Sequence, residues 1–153
     1  MTVRPATGED ARAVAEVHVE GWRWAYRGQI PDAFIDGISV DEREVMWRDA
    51  LDAGRAISVA TDRGRIVGFA AIGPPDDDQA PSGTGELHAI YLTSAFAGLG
   101  VGRALLTHAA GASLLVLATS VDLATGTGVG ATALACVRRA PCPVVVLPNE
   151  SRA

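Results

Sequence analysis

The sequence predicts a mixed α/β sheet in one layered domain, and three observations carry that reading. Apolar residues recur at helical spacing as far as Leu51, then switch to strand-like runs over residues 56–73. Those runs, "AISVAT" and "RIVGFAAIG", flank "DRG", a tight turn centred on Gly64, and so form a β-hairpin. From Glu86 onward strand-like and helical segments alternate, as βαβ units do. The expected order is β-α-α-β-β-β-α-β-α-β.

Each element has its own local cause. "TVRPA" is a short strand that Pro5 confines to an edge or a strand end. Thr7 and Asp10 have capping-box spacing, and Ala11, Val14, Ala15, His18 and Trp22 then keep helical spacing. Pro31 suits the first turn of a second, short helix. Ser39 and Glu42 cap "REVMWRDAL", whose Met46, Trp47, Ala50 and Leu51 mark one buried side. "PPDDDQAPSGTG" is a loop by composition, and "ELHAIYL" is the next strand. "GRALLTHAAG" is helical, "LLVLA" suits a strand buried on both faces, "GATALACVRRA" is helical, and "CPVVVLP" closes the sheet.

Composition excludes several classes of function. The chain has 153 residues, 48% hydrophobic and 20% charged, the balance of a globular domain with a real core. A net charge of -5 without a Lys/Arg cluster argues against nucleic acid as a partner. No apolar run reaches the roughly 18 residues of a membrane span, and the amino terminus lacks an apolar targeting core. The two cysteines, Cys136 and Cys142, make no disulfide framework and have no metal-ligand spacing with His18 or His108. The expectation is a cytoplasmic protein without metal, nucleic-acid or membrane partners; self-association as a homodimer stays open.

The chemistry concentrates in "AFAGLGVGRALLTHA", where Gly98, Gly100 and Gly102 precede a helical run. Backbone N–H groups at a helix start are unpaired and carry the positive end of its dipole. Removing the adjacent side chains lets a phosphate sit directly on them. The alternative is a glycine turn that merely links strand to helix. No Lys-Ser or Lys-Thr follows, and no acidic residue ends a second strand about 20 residues later, so neither a P-loop nor a dinucleotide fold is indicated.

The block "ELHAIYLTSAFAGLGVGRALL" resembles the acetyl-CoA-binding core of the GNAT N-acetyltransferase family. Tyr91, Leu92, Gly98, Gly100, Gly102 and Arg103 fall on that family's motif, while Ala97 replaces its Gln/Arg and Ser94 its proline. The resemblance spans residues 1–108. It implies an acyl-CoA N-acyltransferase-like fold, with a mostly antiparallel mixed sheet and helices on both faces. It also implies that acetyl-CoA binds at Ala97, Gly98, Leu99, Gly100, Val101, Gly102 and Arg103. Ile90, Tyr91 and Leu92 would hold pantetheine and polarise the thioester through their amides. The acceptor would be the amine of a small molecule or peptide.

Past Leu106 the pattern changes. The family's Asn-x-x-Ala-x-x-Phe-Tyr helix is absent, and no tyrosine follows Tyr91. Residues 109–148 instead resemble the end of a universal stress protein, with "CVRRAPCPVVVLP" as closing helix and strand. That resemblance implies a nucleotide site, but Ala118, Val121 and Ala131 stand where its signature needs other residues. The expectation is one domain over 1–153, in which residues 109–153 complete the sheet of the 1–108 core. Two alternatives to an N-acetyltransferase remain: a hybrid that only binds coenzyme A, and a nucleotide-binding module.

Acetyl transfer needs a proton acceptor for the amine and a donor for the oxyanion and leaving thiolate. Glu86 and His88 alternate along their strand and are expected to share a face with Ile90 and Leu92. Either could accept the proton; each could equally be a structural strand residue. Tyr26, beside Arg27 and Gly28, is the candidate for the acceptor pocket, and Trp22 is expected in the core. Asp76, Asp77 and Asp78 could attract a cationic amine or be an ordinary acidic loop. Thr119 and Ser120 are the nearest hydroxyls to serve as a weak acid.

Overall fold

In the computed structural model, which describes residues 1–74, 82, 84–109, 114–119 and 144–148, the chain reverses sharply at Arg63–Gly64. Both take positive φ, 47° and 79°, the backbone that a two-residue hairpin turn requires. The turn joins β2 (Ala56–Asp62) to β3 (Arg65–Gly73), closing on the Asp62–Arg65 pair. β1 (Thr2–Pro5) lies antiparallel against β2 at the sheet edge, with Pro5 at its end as expected. β4 (Thr84–Leu92) pairs antiparallel with β3; β5 (Leu114–Thr119) and β6 (Val144–Pro148) then extend the sheet in parallel. Sheet order follows chain order from β1 to β6. The mixed, mostly antiparallel sheet is as the sequence predicted, including "LLVLA" beside "ELHAIYL".

Three helices lie between β1 and β2, matching the three segments with start signals although the expected order counted only two: α1 (Ala11–Tyr26), α2 (Asp32–Asp36) and α3 (Val40–Asp52). The Asp10 carboxylate fixes the start of α1. It accepts from the Thr7 backbone N–H and hydroxyl, and pairs with both Arg4 terminal nitrogens at 2.7 and 2.9 Å. The Ser39 hydroxyl accepts the Glu42 N–H at the start of α3. α1 and α3 cover one face of the sheet, where Val14, Ala15, Val17 and Trp47 meet Ile57, Val59, Phe69 and Ala71. α4 (Val101–Ala109) covers the other, where Val101, Leu105 and Leu106 meet Ala60, Val67, Ala70, Ile72 and Leu87. Helices therefore lie on both faces.

The expected buried side of α3 is narrower than its spacing suggested. Trp47 is buried and Ala50 and Leu51 half-buried, but Met46 is 37% exposed because α3 touches the rest of the fold along one stripe. The acidic loop at 76–78, the helical segment "GATALACVRRA" and the side chains of "LLVLA" and "CPVVVLP" lie outside what is described.

Candidate active site

β4 and β5 begin as neighbours and then part. Their ladder holds Thr84–Leu114, Gly85–Leu115 and Glu86–Val116 and goes no further. β4 stays on β3 as far as the Gly68–Leu92 pair, while β5 continues on β6 to Thr119–Pro148. A wedge therefore opens beyond Glu86, edged by the backbone of residues 87–92. On the other flank of β4, Ala71 pairs with Ala89 and Ile72 with Leu87, so His88 is an extra residue without a β3 partner. This is a β-bulge, a device that bends a strand and re-aims its side chains.

The bulge corrects the expected facing of Glu86 and His88. Leu87 belongs to the α4-side core, with Ile90 packed against it, so its neighbour Glu86 takes the α1 face. Gly73 follows Ile72 of that same core, and a side chain on Gly73 would project toward α1 and meet the His88 ring. Glu86 and His88 thus share a face with each other, but it is the face of Ala89 and Tyr91, not that of Ile90 and Leu92. The period of two assumed through "ELHAIYL" is broken by the inserted residue.

Beyond β4 the chain makes a short 3-10 turn, Ser94–Phe96, whose first N–H and hydroxyl both donate to Glu20 Oε1 of α1. The Thr93 N–H donates to the Val67 carbonyl. These bonds fix the glycine segment against both α1 and the sheet. Gly98 and Gly100 have φ of 76° and 86°, and a Cβ on either would point into open space or only approach Arg103 Nη2 at 3.9 Å. Conformation therefore demands glycine at both positions. Gly102 instead faces Leu92 and Ile90, whose side chains would be 3.7 and 4.0 Å from an added Cβ, in ordinary contact.

Among the described residues, the N–H groups of Gly98, Gly100, Val101, Gly102 and Arg103 have no backbone acceptor; the first helical bond runs from Ala104 N to Gly100 O. Ala97 and Leu99 instead spend theirs on Ser94 and Phe96 carbonyls, which removes Ala97 and Leu99 from the free donors. Arg103 is exposed and makes no ion pair among the described residues. Free amides, the positive end of α4 and an exposed guanidinium are groups that attract an anion.

The α1 face beside the bulge is aromatic. The Tyr91 ring packs over Gly21 of α1, where a Cβ would fall 2.8 Å from Tyr91 Cδ1. Tyr91 also lies 4.8 Å from His18, and Tyr26 4.8 Å from Trp22, between ring centroids. Burial, with the neighbouring Tyr26 phenol, pushes the Tyr91 hydroxyl above the usual phenol range. Burial, followed by the Arg43 charge, lowers His18 to about 4, and its Nδ1 accepts the Trp47 indole N–H at 3.0 Å. Trp22 is half-buried rather than fully packed, and Tyr26 is half-buried at the end of α1. Sequence reasoning missed Gly21, Glu20 and Gly73; a glycine inside a helix or at a strand end was the available signal. The described residues contain no cluster of His, Cys, Asp or Glu that could hold a metal, and no helix long and apolar enough to cross a membrane.

Comparison with known proteins gives this geometry its family. The model of the acetyltransferase (GNAT) family matches residues 16–136. The chain belongs to the GNAT acetyltransferase family. The match runs past residue 108, the limit of the resemblance read in the sequence. A curated relative, the uncharacterized N-acetyltransferase YuaI of Bacillus subtilis (strain 168), is 39% identical over 111 residues, 72% of this chain and 62% of its own length. The chain thus spans less than two thirds of that relative. Among solved structures, a probable acetyltransferase aligns with a TM-score of 0.61 at 20% identity, covering 80% of this chain and 82% of the other. The PaiA N-acetyltransferase of Thermoplasma acidophilum, solved with coenzyme A, aligns with a TM-score of 0.54 at 20% identity, over 69% of this GNAT chain and 68% of its own. Both share its fold.

Proposed function

We propose that the chain transfers an acetyl group from acetyl-CoA to the amine of a small molecule or peptide, as a cytoplasmic enzyme without a metal. One observation carries the reading: unpaired amides at Gly98 and from Gly100 to Arg103 follow the strand at which the sheet opens into a wedge. The pyrophosphate of coenzyme A fits the array, with Arg103 as its cationic partner, and the extended pantetheine fits the β4 edge of the wedge. The bound thioester supplies an activated acyl group with a good leaving group.

This chain's residues would divide the remaining work. Backbone N–H groups among Ile90, Tyr91 and Leu92 orient the arm and stabilise charge developing on the carbonyl oxygen. Trp22 and Tyr26, on the α1 side with Glu86 and His88, border the acceptor. Glu86 or His88 accepts a proton from the incoming ammonium. Tyr91 is poorly suited to protonate the leaving thiolate, since burial holds its phenol above the ordinary range. With no tyrosine after Tyr91, turnover below the roughly 10 per second typical of enzymes is expected.

The test is a thermal shift with acetyl-CoA and with ATP, followed by thiol release against a panel of primary amines. A ligand at about a hundred times its dissociation constant adds roughly 2.7 kcal/mol. Stabilisation by ATP and not by acetyl-CoA would refute the proposal in favour of a nucleotide-binding module. Binding of acetyl-CoA without thiol release to any amine would leave only a coenzyme A-binding hybrid.

A further inference from the structure

His88 sits where two irregularities of β4 coincide. It is the bulged residue against β3, and it lies just beyond Glu86, the last β4 residue paired with β5. Its ring is not loose there. Nε2 lies 3.2 Å from the Pro74 carbonyl oxygen. A carbonyl can only accept, so Nε2 carries the proton and Nδ1 keeps the lone pair.

The space for this contact exists because residue 73 has no side chain. A Cβ on Gly73 would lie 2.7 Å from Nε2 of His88, too close for the ring to stay where it is, and 3.1 Å from its Cδ2. The neighbouring Arg55 Nη1 is 3.7 Å away, in ordinary contact, so the conflict is with the histidine. Gly73 does not take positive φ, so its backbone does not explain its identity.

Building on the reading of the chain as an acetyltransferase, we infer that Gly73 and Pro74 are positioning residues for His88. Gly73 leaves room for the ring, Pro74 fixes its Nε2–H tautomer, and Nδ1 is thereby offered to the acceptor amine. Nδ1 takes one proton from R–NH3+, giving imidazolium and the neutral amine. The amine nitrogen then bonds to the acyl carbon as the carbonyl π bond opens onto oxygen, and the carbon–sulfur bond breaks when that tetrahedral adduct re-forms the carbonyl. The second proton leaves the nitrogen as the adduct collapses and goes to the thiolate, and the imidazolium returns its proton to solvent. Among the described residues, Glu86, Arg55, and further along the α1 side Arg43 and Glu20, are the charged groups on this face, and all stay unaltered in the test.

The experiment compares wild type, Gly73→Ala, His88→Ala and the double variant, using acetyl-CoA and the panel amine that gives the fastest thiol release. Nitrogen-15 NMR of the histidine rings reports the tautomer independently of activity. The wild type should show His88 protonated at Nε2, and Gly73→Ala should lose that signature. Gly73→Ala should lower kcat roughly ten- to a hundredfold, with acetyl-CoA affinity unchanged. On the His88→Ala background the same substitution should have no further effect, because the side chain it displaces is gone. Additive losses, or a wild-type His88 protonated at Nδ1, overturn the inference. Full turnover in His88→Ala overturns it as well. A wild type that neither binds acetyl-CoA nor releases thiol would refute the acetyltransferase reading instead, and the NMR result would still decide the placement of the ring.

Discussion

Replacing Gly21 by alanine sets two well-measured effects against each other. Gly21 lies inside α1, where alanine is the better helix former by about 1 kcal/mol. Helix propensity alone therefore predicts a more stable protein. The packing predicts the reverse. The added methyl would lie 2.8 Å from Cδ1, 3.2 Å from Cβ and 3.3 Å from Cγ of Tyr91. Turning the ring can move Cδ1, but the Tyr91 Cβ moves only with the β4 backbone, so the contact with it stays. Overfilling a close-packed site costs about 1–3 kcal/mol. The net expectation is a loss of about 1 kcal/mol, or roughly 2–4 °C in Tm for a domain of this size. Urea and thermal unfolding of Gly21→Ala measure it directly. Placing Tyr91→Ala in the same chain should shrink the loss, since the contacts with Cδ1 and Cγ are then gone and only that with Cβ stays. A Gly21→Ala protein that is more stable than wild type would refute the packing argument, because propensity would then have won.

Three further outcomes are expected. Gly100→Val forces a β-branched residue to a φ of 86° and crowds the free amides, so acetyl-CoA affinity should fall tenfold or more, about 1.4 kcal/mol by calorimetry. His18 is buried neutral and lowered to about 4. An unfolded histidine binds its proton near pH 6.5, so stability should be full above that value and fall by about 3 kcal/mol as pH drops to about 4. His18→Phe should flatten urea stability over this window; an unchanged slope would show that His18 is not its source. Asp10, held at about 2 chiefly by its bond to Arg4, has the lower window. Its contribution should be present above about pH 4 and vanish as pH falls through about 2. Arg4→Met should remove roughly 1 kcal/mol at pH 7 and little at pH 2, since the arginine is half exposed to solvent.

Much of this fold was legible in the sequence because it rests on short-range rules. The switch of period after Leu51 announced the sheet, and Gly64 and the residue before it announced the hairpin. The apolar run 114–118 predicted a parallel strand beside β4, where β5 now lies. Ala97 through Arg103 could be singled out because glycine spacing ahead of a helix is a local signal. The facing of Glu86 and His88 was not legible. A bulge inserts one residue into "ELHAIYL", a run with no Gly or Pro to mark it, and shows only in the pairing with Ala71 and Ile72 across the ladder. Gly21 was opaque for the same reason: its explanation is a ring 70 positions later in the chain. Met46 followed helical spacing correctly, but spacing cannot say how wide a strip the neighbouring helix covers.

The coincidence of sheet order and chain order has a consequence during synthesis. Each strand from β2 onward docks on a neighbour that has already left the ribosome, and none must wait for a later segment to be inserted between them. The hairpin of β2 and β3 can close as soon as β3 emerges, and by then β1 is available to pair with β2, and α1 and α3 to cover one face. By the time β5 appears, it meets a finished antiparallel template and needs to register only along Thr84, Gly85 and Glu86. The nascent chain is thus never obliged to reopen what it has built. The edge most exposed to wrong pairing in that interval is β4, which is the same strand whose departure from β5 later forms the wedge.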